Sequence, residues 1–428
     1  MATKFIVEGG HKLAGVVQVS GSKNAALPIL ASTLLTSEPV TINNMPDIKD
    51  IRVLGEIIES MGGKVEWLGN GMVRVDNSGI DATQEPDYKK IKQLRASILI
   101  MGPMLARFGK VKTSMPGGCH IGPRPIDVHL DGMRDLGATI SEEGEFYNMT
   151  ANKLTGRKIV LGEMSVTGTS NVLMASVMAD GITEMRLSAA EPENINLCET
   201  LNKMGAKISG IGTHTLIIEG VEMLHGAEID VIPDRLEAGT FAVIATVTQS
   251  ELTIKGYVQD HLDAFTQKLI EAGARLEFFD DQTVKILKST SLKSVDIKTS
   301  IHPGFPTDLQ APFGCLLTQA KGNSQVHETM YDGRLNYFKE LAKMGATASI
   351  LDPHRAIVSG PTVLYGKDID SLDIRAGATL IVASLIAQGK SMIHKAELID
   401  RGYEKIDDKL KALGAKIERI ESEELITA

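Results

Sequence analysis

The sequence predicts an α/β (α+β) protein of two domains, each built from three copies of one βαβαββ-like unit with buried helices inside and sheets outside. Three observations carry that expectation. A helix ending in a small-residue pair recurs at Gly62-Gly63, Gly137-Ala138, Gly205-Ala206, Gly273-Ala274, Gly345-Ala346 and Gly414-Ala415, and successive pairs lie 68 to 75 residues apart. A fixed period of that length marks a repeat architecture. The helices before the pairs also share a register. Leu262, Phe265, Leu269 and Ala272 before the fourth pair are spaced as Tyr403, Ile406, Leu410 and Leu413 are before the sixth, and that spacing is one face of a helix. Finally, a second helix in the unit is apolar on nearly every side, so it belongs in a core.

The first copy shows each element in order. Residues 25–31 form the apolar helix, residues 39–42 a short strand, and an amphipathic helix then runs to Gly62, which stops it where a positive φ costs glycine little. Residues 64–68 and 72–76 alternate apolar and polar around Gly69-Asn70-Gly71, a hairpin signal. Apolar helices are expected again at residues 96–101, 172–178, 241–245 and 380–386, and another short strand at 251–254. None of these runs is long enough to span a bilayer. Six such units cannot share one core, so three per domain is the economical packing.

Composition narrows the function. The 428 residues are 43% hydrophobic, enough for two or three cored domains. The net charge of −9 is interspersed, which argues against nucleic-acid and membrane partners. Three scattered cysteines, Cys119, Cys198 and Cys315, make neither a disulfide framework nor a zinc site, and the N-terminus has no signal-peptide core. A soluble, cytoplasmic protein is expected. His120, His129, His261, His302 and His394 lack metal-ligand spacing, and no P-loop or dinucleotide fingerprint is present, so neither metal nor cofactor is expected. Cys198 and Cys315 sit among leucines and read as core.

Equivalent loops of a repeat point the same way. Those before the apolar helices carry Ser22-Lys23-Asn24, Arg95, Thr167-Gly168-Thr169-Ser170, Glu237-Ala238-Gly239-Thr240, Thr307-Asp308 and Arg375. Those before the amphipathic helices carry Asp47 with Asp50, Cys119 with Arg124, Glu191 with Glu193, Asp260 with His261, Arg334, and Asp400-Arg401. Helix N-termini favour anions. Lys23, Arg95, Arg124, Arg334, Arg375 and Arg401 are thus expected to form a cationic cleft for a small, phosphate-bearing substrate. Residues 116–125, with three glycines and several prolines, must be a loop. Its Cys119 reads either as a passive surface thiol or as a nucleophile whose thiolate Arg124 favours.

The motifs Gly21-Ser22-Lys23-Asn24-Ala25-Ala26, Arg95-Ala96-Ser97, residues 116–124, Phe305-Pro306-Thr307-Asp308 and Ile399-Asp400-Arg401-Gly402-Tyr403-Glu404 occur in order on the six units. Together they resemble the UDP-N-acetylglucosamine 1-carboxyvinyltransferases of the EPSP synthase-like superfamily, over essentially the whole chain. The resemblance implies two inside-out α/β barrel domains joined by a double crossover, with the active site in the interdomain cleft. The first would span residues 22–232 and the second residues 1–21 plus 233–428. It implies transfer of the enolpyruvyl group of phosphoenolpyruvate to the 3′-hydroxyl of UDP-N-acetylglucosamine by addition and elimination, in peptidoglycan synthesis, without a cofactor.

By the same resemblance Cys119 is the general acid, able to form an adduct and alkylated by fosfomycin, and Asp308 the base for the sugar hydroxyl. The other reading of Asp308 is a helix N-cap. Lys23, Asn24, Arg124 and Arg401 resemble phosphoenolpyruvate ligands, Lys23 and Arg401 being also catalytic. Arg334 and Arg375 are either further ligands or surface ion pairs. The UDP-sugar site would draw on Asn24, Arg95, Arg124, Pro125, Ile126, Asp127, Val128, Ser165, Val166, Thr167, Asp308 and Met330. Where many members have Ser-Val-Gly-Ala-Thr this chain has Ser165-Val166-Thr167-Gly168-Thr169, and Glu163 replaces a lysine near the diphosphate. Two competitors stand beside this reading: the sister 3-phosphoshikimate 1-carboxyvinyltransferase, which uses no such cysteine, and a catalytically silent UDP-sugar-binding paralogue.

Overall fold

The computed structural model describes residues 2–81, 83–115, 117, 125–289 and 291–422, so Cys119 and Arg124 lie outside the described residues. The chain forms two compact units. Among the described residues, one gathers those of 2–20 and 233–422, the other those of 21–117 and 125–232. Each is an inside-out α/β barrel, with apolar helices at its centre and three sheets around them.

The six repeats are one design. In the fourth, strand Ala14–Gln18 runs parallel to Glu251–Lys255, and Thr283–Leu287 and Arg275–Asp280 complete the sheet as an antiparallel hairpin. The fifth repeats this with Ile297–Lys298, Gly322–His327, Arg355–Gly360 and Thr347–Asp352. In the sixth, the hairpin position beside Lys416–Ser422 is filled by Ala2–Glu8 from the other end of the chain, so the barrel closes on itself. A long-range strand also serves the other unit, where Glu228–Asp230 pairs parallel with Val40–Asn43. The second repeat has three strands among the described residues: Lys110–Ser114, Phe146–Thr150 and Thr139–Glu143.

The glycine pairs have a backbone cause. Gly62, Gly137, Gly205, Gly273, Gly345 and Gly414 all have φ between 98° and 105°, a region L side chains rarely enter. Each ends its amphipathic helix and turns the chain into the next strand. The hairpin of the first copy turns on Asn70 and Gly71, at φ 50° and 72°, as paired positive-φ positions require.

The apolar helices are Lys23–Ser32, Val166–Ser176, Arg235–Val247, Thr307–Leu317 and Ile374–Ile386. Their burial is complete at Val172, Leu173, Met174 and Ala175. The helix expected at residues 96–101 is instead the 3-10 turn Arg95–Ile100, leading into helix Met101–Phe108. Pro103 explains the switch, because it has no N–H for the Leu99 carbonyl and its ring crowds that oxygen. The candidate residues expected in loops before these helices lie in the helices' own first turns. Lys23, Thr307 with Asp308, and Arg375 sit there, behind caps made by Ser22, Pro306 and Asp373. No helix among the described residues is long and apolar enough to cross a membrane.

Candidate active site

In the unit carrying residues 233–428, Asp308 is the centre. It is the second residue of helix Thr307–Leu317, and Pro306, not Asp308, holds the capping position, so the N-cap reading of Asp308 falls away. Its carboxylate is clamped by two guanidiniums. Arg334 Nη2 donates to Oδ1, and Arg375 Nε donates to Oδ2 at 3.0 Å. Both arginine side chains are 5–6% exposed, against 24% for the carboxylate. Arg334 and Arg375 are therefore not surface ion pairs. Burial pushes the Asp308 carboxyl up, but the two guanidiniums outweigh it and hold the group well below the usual carboxylate range. Arg375 Nη1 is buried without an acceptor among the described residues.

Neighbouring contacts set this cluster in place. The Arg375 guanidinium lies 5.2 Å from the Tyr403 ring, whose hydroxyl meets Thr240 at 2.9 Å. Arg401, two residues before Tyr403, ends the 3-10 turn Ala396–Arg401. That turn is pinned from below by Asp400, which takes a two-pronged contact from Arg419 at 2.7 and 2.8 Å. Met330 is part-exposed, and its N–H is held by the Glu328 carboxylate at 2.7 Å.

The unit of residues 21–232 carries the other candidates. Lys23 opens its helix and pairs with Asp50 at 2.6 Å, both side chains nearly out of solvent. Asn24 follows it, half-buried. A buried network links the elements that carry Arg95, residues 125–128 and residues 165–167. Asn171 Oδ1 accepts from Gly102 N–H at 2.7 Å, and its Nδ2 donates to the Ile98 carbonyl at 2.9 Å and to His129 Nδ1 at 3.1 Å. Those amide contacts fix the histidine tautomer: Nδ1 accepts, so Nε2 carries the proton and donates to the Thr167 hydroxyl at 3.3 Å. Arg95 Nη2 donates to the Pro125 carbonyl at 3.3 Å, and Ser165 caps its helix through Gly168 N–H. Glu163 and Thr167 are both exposed.

Burial, with the nearby Arg95 charge, pulls the His129 imidazole from its ordinary 6.5 to about 3. The folded state therefore refuses a proton that the unfolded chain accepts below about pH 6.5. His129 costs nothing above that value, and its penalty grows as pH falls from 6.5 towards 3, to roughly 4 kcal/mol. His129→Leu is expected to flatten the stability–pH curve across that window in urea titrations. An unchanged slope would remove His129 as the cause.

Cys119 and Arg124 lie outside the described residues. Cys198 and Cys315 are buried, and burial pushes both thiols up to about 12, which keeps them inert. Two residues that organise these clusters escaped the sequence reading. Asn171 lay hidden in an apolar helix, where a lone amide was the only signal. Glu328 closes an alternating strand, and a charge at that inward position was its signal.

Comparison with known proteins places the chain. Residues 7–410 match the family model described as EPSP synthase (3-phosphoshikimate 1-carboxyvinyltransferase). The chain is 43% identical to the UDP-N-acetylglucosamine 1-carboxyvinyltransferase of Desulfosudis oleivorans, over 97% of this chain and 99% of the relative. It is 45% identical to UDP-N-acetylglucosamine 1-carboxyvinyltransferase 1 of Caldanaerobacter subterraneus, over 98% of this chain and all of the relative. Among solved structures, the enolpyruvyl transferase NikO from Streptomyces tendae is similar at TM-score 0.89 and 24% identity, covering 99% of this chain and 100% of that one. EPSP synthase from Acinetobacter baumannii is similar at TM-score 0.76 and 19% identity, covering 98% and 100%. At those identities the two structures speak for the fold alone.

Proposed function

We propose a division of labour among this chain's residues from one premise: it belongs to the EPSP synthase family, and within it to the UDP-N-acetylglucosamine 1-carboxyvinyltransferases. It is an enolpyruvyl transferase of peptidoglycan synthesis, moving the enolpyruvyl group of phosphoenolpyruvate to UDP-N-acetylglucosamine with release of phosphate. In the addition, the sugar 3′-oxygen bonds to C2 of phosphoenolpyruvate and its proton passes to Asp308. Cys119 delivers a proton to the methylene carbon. In the elimination, the bond from C2 to the phosphate oxygen breaks, phosphate leaves with the proton that Asp308 took up, and the new methyl group returns a proton to the Cys119 thiolate.

The observation that carries this assignment is the clamped Asp308, with Arg375 Nη1 still seeking an acceptor. Two guanidiniums beside a carboxylate match a substrate that brings its own carboxylate and phosphate. An anion that draws Arg375 or Arg334 away from Asp308 raises the carboxyl's basicity when the sugar hydroxyl arrives. Lys23, Asn24, Arg124 and Arg401 complete the phosphoenolpyruvate ligands. Arg95, Pro125, Ile126, Asp127, Val128, Ser165, Val166, Thr167 and Met330 serve the UDP-sugar. The partners are thus small molecules, with neither nucleic acid nor membrane, in the cytoplasm, and fosfomycin is the inhibitor that reads out Cys119.

Phosphate release from phosphoenolpyruvate, with UDP-N-acetylglucosamine or shikimate 3-phosphate as acceptor, tests the reading. Release with the UDP-sugar alone, abolished by prior fosfomycin, is expected. Release with shikimate 3-phosphate would move the assignment to the sister enzyme, and none with either would favour a silent paralogue.

A further inference from the structure

Glu328 follows strand Gly322–His327 directly and is fully buried. A carboxylate costs a great deal to bury unless donors satisfy it. Here every group reaching it donates. Oε1 receives Met330 N–H at 2.7 Å, Tyr331 N–H at 3.3 Å and the Thr299 hydroxyl at 3.1 Å. Oε2 receives the Thr307 hydroxyl at 2.7 Å and Gln310 Nε2 at 3.4 Å. Its own backbone is fixed on both sides by His354, whose carbonyl accepts at 2.8 Å and whose Nδ1 meets the Glu328 carbonyl at 2.8 Å.

The contact with Thr307 has a direction. A hydroxyl has one proton, and Thr307 gives it to Glu328. Toward Arg334 Nη1, at 2.9 Å, the same oxygen can therefore only accept. The order runs from Arg334 to Thr307 to Glu328. Because a guanidinium is a rigid planar fork, seating Nη1 on Thr307 also aims Nη2 at Asp308 Oδ1. The other carboxylate oxygen anchors Met330 and Tyr331, just ahead of Arg334 in the chain, so side chain and backbone of the arginine are located by one acidic group.

We infer that Glu328 is a positioning residue for the Asp308 centre: it sets the donor–acceptor direction of Thr307 and thereby the seat of Arg334. The inference rests on the proposed role of Asp308. An amide at position 328 must turn its NH2 toward either Thr307 or the two loop N–H groups. Two donors then converge where one acceptor stood, and the arginine loses its fixed seat.

The test compares Glu328→Gln, Thr307→Val, Thr307→Ser and the Gln/Val double variant. Each is read by steady-state phosphate release, by urea unfolding and by 13C titration of the Asp308 carboxyl. Glu328→Gln and Thr307→Val are each expected to lower kcat about 10- to 100-fold with KM within about threefold, the cost of a misplaced group rather than a lost substrate contact. In both, the Asp308 carboxyl titrates higher than in the wild type. The double variant is no worse than the poorer single one, because both break the same chain, and Thr307→Ser returns to within about threefold of wild type. Wild-type kcat in Thr307→Val, a serine variant as impaired as the valine, or multiplying losses in the double variant would each overturn the inference. If Glu328→Gln does not fold, the Val and Ser variants decide alone. A wild-type protein that releases no phosphate defeats the proposed function, while the Asp308 titration still decides the role of Glu328.

Discussion

Asp308→Asn lowers kcat by about 10²- to 10⁴-fold, the range for losing a general base, and also destabilises the fold. The two effects have separate causes. Asparagine keeps the shape but cannot take a proton from the sugar hydroxyl, which is the kinetic loss. It also leaves Arg334 and Arg375, at 7% and 5% exposure, without their shared counter-charge. Removing one side of a buried pair costs about 3–5 kcal/mol, and partial exposure of Asp308 places this case near about 3. The pH dependence follows from the lowered carboxyl. Asp308 stabilises the fold fully above the unfolded value of about 3.9, and that contribution is lost as pH falls through the lower folded value. Below about pH 4 the stability of Asp308→Asn should therefore fall less steeply than wild type in acid unfolding. Wild-type kcat in this variant would reduce Asp308 to a counter-ion for the arginines.

Whether a feature could be read in the sequence depended on how local its cause is. The glycine pairs were legible because a positive φ can be recognised from residue type alone, and six copies place it without a structure. The apolar helices were legible because burial on all sides leaves a composition. Asp308, Arg334 and Arg375 were legible as individual candidates, each at an equivalent point of its repeat. Their mutual engagement was not: Arg334 lies 26 residues from Asp308 and Arg375 lies 67. Which anion a guanidinium meets is settled by distances of a few ångströms across repeats. The same holds for Asn171 and Glu328, whose partners come from two or more separate segments. The 3-10 turn Arg95–Ile100 departs from the helix that apolarity alone predicts for a local reason, the backbone demand of Pro103.

Lys23 offers the sharpest separation of fold from function. Lys23 and Asp50 form a pair at 2.6 Å with side chains 11% and 6% exposed. Lys23→Met strips that charge from a nearly dry carboxylate, so a loss of about 3–5 kcal/mol is expected. It also removes a cation proposed to meet phosphoenolpyruvate, for which a drop in kcat/KM of about 10²- to 10³-fold is expected. Adding Asp50→Leu removes the carboxylate that Lys23 balances. Because a buried ion pair replaced by apolar residues of similar size is commonly neutral or stabilising, the Met/Leu double variant should recover wild-type stability in urea to within about 1 kcal/mol. Activity should not recover with it, since nothing apolar can hold a phosphate. If the double variant regains both, Lys23 serves only to balance Asp50. If it regains stability alone, the ammonium acts on the substrate, and the buried pair is how the fold holds that charge ready.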